Sequence, residues 1–171
     1  LRSQSITDIA YAEGKVYVSG VADGSPSNVR EIPFPFTDAN AGTSVEIYHG
    51  AHGRLEDNAV VRTFLPINID GEASLLAGFT CTPLVKFPVN TLKPGEKTRG
   101  TTVAELGNMN QPLDMIVYQK EGKDYLLMAN NRRGVMKIST EGITKNPGIT
   151  EPVRGGGTAG QRSHQRFFQD A

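Results

Sequence analysis

Two of the three histidines lie three residues apart in the stretch IYHGAHGRLED, residues 47–57. Neutral imidazole is the commonest metal ligand in proteins. His49 and His52, in a loop flexed by Gly50 and Gly53, can both turn toward one ion. The plainer alternative is that one histidine caps a strand end and the other is solvated. The single cysteine, Cys81, stands in FTCTPL between an apolar run and a proline. A lone cysteine is either a small buried residue or, as thiolate, a soft ligand. With no second cysteine an intrachain disulfide is excluded, and no C-x-x-C-H occurs to attach a c-type haem.

A second group of residues is rich in amides and guanidinium. NNRRG (130–134) carries Asn130, Arg132 and Arg133, and GNMNQPLD (107–114) carries Asn108, Asn110 and Asp114. Paired arginines can clamp a carboxylate or phosphate in bidentate fashion. Asparagine also accepts left-handed turn geometry, which accounts for its abundance without a ligand. Motifs for nucleotide phosphates and for nucleophilic serine are absent: there is no G-x-x-x-x-G-K, no G-x-G-x-x-G and no G-x-S-x-G. GGGTAG (155–160) lacks the following lysine and helix and reads as linker.

Composition narrows the partners. Lys and Arg total 18, Asp and Glu total 18, and the formal net charge is zero. Neither nucleic acid nor an anionic membrane surface is favoured by that balance. No apolar run approaches the roughly 20 residues a membrane-spanning helix needs. The opening LRSQSITDIAY shows neither an initiator Met nor a leader pattern, as expected of a chain released from a longer precursor.

These residues must be positioned by strands. Nineteen glycines and ten prolines punctuate the whole length and leave little room for helix. Between them lie short runs rich in Val, Ile, Tyr and Phe. The runs repeat. EGKVYVSG, DGEASLLAG and EGKDYLLMAN each open on an acid-Gly pair, with glycines at 14, 71 and 122. Glycine there suits a tight hairpin turn. A first strand precedes each turn (6–12, 60–69, 112–119). A third follows (28–34, 83–89, 134–140), and a fourth closes each unit (44–49, 101–107, 148–153).

Three consecutive four-stranded antiparallel units at about 50-residue spacing resemble the blades of a β-propeller. Quinoprotein-type and NHL-like blades are nearer than the Trp-Asp type, since the chain has no tryptophan. The resemblance covers nearly all of residues 5–153. It implies an all-β chain with blades at about 5–49, 60–107 and 112–153, followed by a Gly-rich linker and tail at 154–171. Three blades do not close a ring of about four to eight. Another chain, or the rest of a precursor, is expected to complete it.

The resemblance also implies that fourth-to-first and second-to-third loops share one face, where ligands bind. That face would hold His49, His52, Arg54, Glu56, Asp57, Cys81, Asn108, Asn110, Asn130, Arg132 and Arg133. Cys81 then becomes a third metal donor and Glu56 or Asp57 a fourth. Such a set favours copper or zinc over calcium. Arg54, the three asparagines, Arg132 and Arg133 are the candidate ligand-binding residues. Arg62 and Asp114 would point to the channel or pair across blades. The implied function is a ligand-, metal- or redox-partner-binding propeller, the scaffold of an oxidoreductase outside the cytoplasm, periplasmic or secreted. Two alternatives stand beside it. One is a non-catalytic protein-interaction module. The other is a calcium-dependent hydrolase or lactonase-type propeller using Glu105, Asn108, Asn110 and Asp114.

Overall fold

The structure, a computed structural model, describes residues 4–37, 40–81, 83–143, 146–154 and 166–167. It is all-β, built from fourteen strands among those residues. The first five are β1 (Asp8–Ala12), β2 (Lys15–Ala22), β3 (Ser25–Pro33), β4 (Thr43–His49) and β5 (Arg54–Glu56). Then come β6 (Val61–Ile69), β7 (Glu72–Phe79), β8 (Pro83–Pro88), β9 (Lys97–Arg99) and β10 (Thr101–Glu105). The last are β11 (Pro112–Lys120), β12 (Lys123–Asn130), β13 (Gly134–Ser139) and β14 (Arg166–Phe167).

The acid-Gly pairs are the turns that make the first hairpin of each sheet. Glu13–Gly14, Asp70–Gly71 and Glu121–Gly122 all have both residues at positive φ, 52° for each acid and 72–83° for each glycine. Two-residue turns of that hand match strand twist. They fix registers of Ala12 on Lys15, Ile69 on Glu72 and Lys120 on Lys123.

Three sheets result. The first runs β1-β2-β3-β4-β5, with β9 parallel to β4; the second runs β10-β8-β7-β6; the third runs β11-β12-β13-β14. The middle sheet is apolar on both faces because both are covered. Leu75, Ala77 and Phe79 alternate onto one face, against Tyr17, Val29, Val45 and Ile47 of the first sheet. Leu76 and Leu84 turn the other way, against Met115, Leu126, Met128 and Ile138 of the third. Burying each large side chain contributes about 1.5–3 kcal/mol, so the middle sheet binds its neighbours chiefly by this packing.

The first strands also meet. β6 lies against both β1 and β11. Asp8 Oδ2 accepts from Thr63 Oγ1 at 2.9 Å and from Phe64 N at 2.8 Å, satisfying an amide on the free edge of the middle sheet. With its amide oxygen facing Arg62, Gln111 accepts from Nη2 at 2.5 Å and Nε at 3.2 Å.

Three features depart from the sequence reading. The fourth strand expected at 148–153 does not form; β14 takes that place beside β13, inside the segment expected to be linker and tail. Residues 146–154 instead run across the other two sheets. Asn146 Nδ2 donates to Val103 O at 2.6 Å, Ile149 N to Thr102 O at 2.8 Å and Val153 N to Gly50 O at 2.9 Å. A segment rich in Pro and Gly cannot keep a ladder, so its amides are met one at a time. Two short strands that the sequence reading did not assign also form: β9 beside β4, and β5 in the loop at 49–59.

Among the described residues, no helix is long and apolar enough to cross a membrane.

Candidate metal centre

His49 is the last residue of β4, and the chain reverses at once. His52 N and Gly53 N both donate to His49 O, at 3.1 and 2.8 Å. Gly53 sits at φ 66°, which a glycine accepts without cost. β5 then returns along β4, pairing Arg54 with His49 and Glu56 with Ile47. The turn therefore folds the second histidine back over the first. Their rings lie 3.8 Å apart between centroids, tilted by 35°.

Glu56 holds both rings. Its Oε2 lies 2.8 Å from His49 Nδ1, its Oε1 lies 2.7 Å from His52 Nδ1, and Arg54 Nε donates to Oε1 at 3.1 Å. The carboxylate is largely buried, which raises its pKa. The hydrogen bonds from the two imidazoles and Arg54 outweigh burial and hold it at about 2. It is thus an anion at neutral pH, accepting the Nδ1 protons. With Nδ1 donating to Glu56, the His49 imidazole presents Nε2 as its lone-pair nitrogen. His49 is buried, and that burial lowers its pKa despite the Glu56 hydrogen bond. It stays neutral, as a metal ligand must. Its Nε2 is buried with no hydrogen-bond partner.

Cys81 arrives from the middle sheet. β7 ends at Phe79, and the turn after it sets Cys81 at φ 66°, a left-handed conformation that costs a non-glycine residue about 1–2 kcal/mol. Cys81 N donates to Asn110 O at 2.7 Å, which fixes the strained residue to loop 106–111. One donor atom each from His49, His52 and Cys81 all lie within 4.8 Å of one another. Bonds of about 2.0 Å to nitrogen and 2.3 Å to sulfur space donors by roughly 3.5 Å around a tetrahedral ion. The donor types fit a copper or zinc ion: two imidazoles, a thiol, and a carboxylate on both Nδ1 atoms.

Glu56 is therefore not placed as the expected fourth ligand. Both its oxygens are taken by Nδ1 atoms, the outer-shell position that orients ligating imidazoles. Asp57 pairs instead with Lys97.

Glu105, at the end of β10, fixes the same turn from the other side. Its Oε1 accepts from Gly50 N at 2.5 Å, while its Oε2 is buried without a partner. Burial drives its pKa up to about 7, against hydrogen bonds from Gly50 and Ala51 that pull it down. Pro152 and Val153 press on Gly53 and Gly50, where an added Cβ would meet them at 3.0 Å. Sequence reasoning missed this support, because nothing in the spacing of residues 50, 105 and 153 announces it.

The other candidates part into two sets. Asn110 and Asn130 are buried and bonded to each other, Nδ2 to Oδ1 at 2.8 Å. Asn130 Nδ2 also donates to Met128 O, and Asn110 Oδ1 accepts from Arg132 N. These amides knit the loops together. Asn108 offers its carbonyl to Arg133 Nη2 at 3.3 Å. Arg132 and Arg133 form no ion pair with a described acid. The set considered for calcium does not converge: Glu105 faces Gly50, Asn110 faces Asn130, and Asp114 stands exposed on β11. His49, His52 and Cys81 are the one such donor group among the described residues; His164 lies outside them.

No protein-family model, no curated protein and no solved structure matches this chain.

Proposed function

We propose that this chain is part of a β-propeller whose loop-bearing end holds a copper or zinc ion through His49, His52 and Cys81. The observation that carries the metal is the convergence of those three donors, from two different sheets, with Glu56 behind both imidazoles. A turn that served only to reverse the chain would need neither the strained Cys81 nor a buried His49 Nε2 without a partner. Three stacked sheets, antiparallel apart from β9, with adjoining first strands support the propeller reading. The His₂Cys donor set is the one used at copper electron-transfer centres, and three protein ligands leave a fourth position open. That chemistry fits a redox module better than a docking module alone.

The test is metal analysis. Protein stripped with chelator, reloaded with copper or zinc and passed through a desalting column should retain about one ion per chain. The His49→Ala/His52→Ala double variant, shown folded by circular dichroism, should retain none. Equal retention by both proteins, or by neither, contradicts the reading. Retention of calcium alone would replace it with the calcium-dependent hydrolase.

A further inference from the structure

The stack ends in two faces that no described sheet covers, and the third sheet's carries Lys137 over the Tyr118 and Tyr125 rings among its apolar residues. On the third sheet, Ile116 and Leu127 pair across β11 and β12 on the side opposite Met115 and Met128. Ile116 is 55% exposed and Tyr118, on the same face, 38%. On the first sheet, Ile9 pairs with Val18 on the side opposite Ala10 and Tyr17. Ile9 is 57% exposed and Tyr11 70%. Among the described residues, the facing sides of the three sheets form the two buried cores.

The manner of stacking is repeated at the open end. Asp8 lies on the face of the first sheet that meets the second. Its Oδ1 accepts from Ile9 N at 2.8 Å, and its Oδ2 reaches the next sheet's first strand. Asp114 lies on the open face of the third sheet, also on a first strand. Its Oδ1 accepts from Met115 N, again at 2.8 Å. Its Oδ2 has no hydrogen-bond partner among the described residues. The carboxylate is set to receive a further first strand in the same sense. The open face of the first sheet offers one: β1 is its free edge.

We propose that the open face of the third sheet receives the first sheet of a second copy of this chain. Two copies related by a two-fold axis then close a ring of six sheets through two equal contacts. This rests on the propeller reading above. Both open faces are covered at once, and Asp114 Oδ2 meets the first strand of the second copy as Asp8 Oδ2 meets β6. Six lies within the range of about four to eight blades at which propellers close. Each contact is heterologous, yet the two-fold closes it and no filament follows.

Sedimentation equilibrium of the 171-residue chain tests it. The expected mass is twice 18.5 kDa. Ile116→Asp and Ile9→Asp, both at exposed positions, should each give a folded monomer, since each damages both contacts. Mixing the two monomeric variants should restore a dimer, because one contact then joins two unaltered faces. A wild-type chain that stays monomeric up to roughly 100 μM overturns the proposal. So does a dimer that survives both substitutions, or a mixture that fails to re-associate. Metal content of the variants, read on the same samples, should be unchanged. Its loss or retention reports on the metal centre independently of the mass.

Discussion

At the hairpin end of the stack, three turns repeat one conformation; at the opposite end, the connections carry strained and unsatisfied groups. Glu13–Gly14, Asp70–Gly71 and Glu121–Gly122 share φ values to within about ten degrees. An added Cβ at any of the three glycines would meet nothing. The loop end is crowded and locally unsatisfied. Cys81 is strained, His49 Nε2 and Glu105 Oε2 are buried without partners, and Gly50 and Gly53 are pressed by residues 152–153. One end is built from local rules that each sheet meets alone. The other depends on two sheets and the 146–154 segment supplying groups to one place, and strain of this kind is held only where the surroundings over-determine it.

The comparison can be broken from the core outward. Phe79 is fully buried between the first two sheets and ends the strand that delivers Cys81. Phe79→Ala should cost about 3–5 kcal/mol in urea unfolding and should weaken metal binding too, whereas a hairpin-end change should not.

Glu105 gives a pH test of nearly that size. Its carboxyl is raised from the ordinary 4.5 to about 7, so the folded state keeps the proton to higher pH than the unfolded chain. Stability of metal-free protein should therefore fall as pH rises from 4.5 to 7 and stay lower above that. Glu105→Gln should remove this limb and gain on the order of 3 kcal/mol at pH 8 as an upper bound. An unchanged pH profile would show that Glu105 is not desolvated at the turn.

Glu56 runs the other way. Held at about 2, its contribution is complete above 4.5 and is lost as pH falls toward 2, while protonation of His49 adds to the acid-side loss. Glu56→Gln should weaken copper or zinc binding about 10–100-fold by releasing the imidazoles, measured by competition with a chelator. The smallest effect belongs to the hairpin end. Gly71→Ala, forced to φ 83°, should cost about 1 kcal/mol in stability with metal affinity intact.

Strands were legible because their cues are local. Alternation and the acid-Gly pairs marked β1–β3, β6–β8 and β11–β13 to within a few residues. The candidate donors were legible by type, His49, His52 and Cys81 among them, and their convergence depended on an assumed stacking of sheets. What was not legible depends on contacts distant in sequence. β9 is three residues long and takes its partner from β4, about 50 residues earlier. β14 replaces an expected strand because 148–153 is held by single bonds to other sheets rather than by β13. Glu56 looked like a ligand because an acid near two histidines is one reading of the pattern. Only the short β5, which turns that carboxylate toward both Nδ1 atoms, shows it behind the rings.

The central claim is that one thiolate and two imidazoles from separate sheets share one ion. X-ray absorption of the chain reloaded with a single equivalent of zinc or copper tests it most directly. The account predicts one sulfur scatterer at about 2.3 Å and two imidazole nitrogens at about 2.0 Å, with the sulfur lost in Cys81→Ser and the imidazoles lost in His49→Ala/His52→Ala. A shell of oxygen and nitrogen alone in the unaltered chain, unchanged by Cys81→Ser, would contradict it.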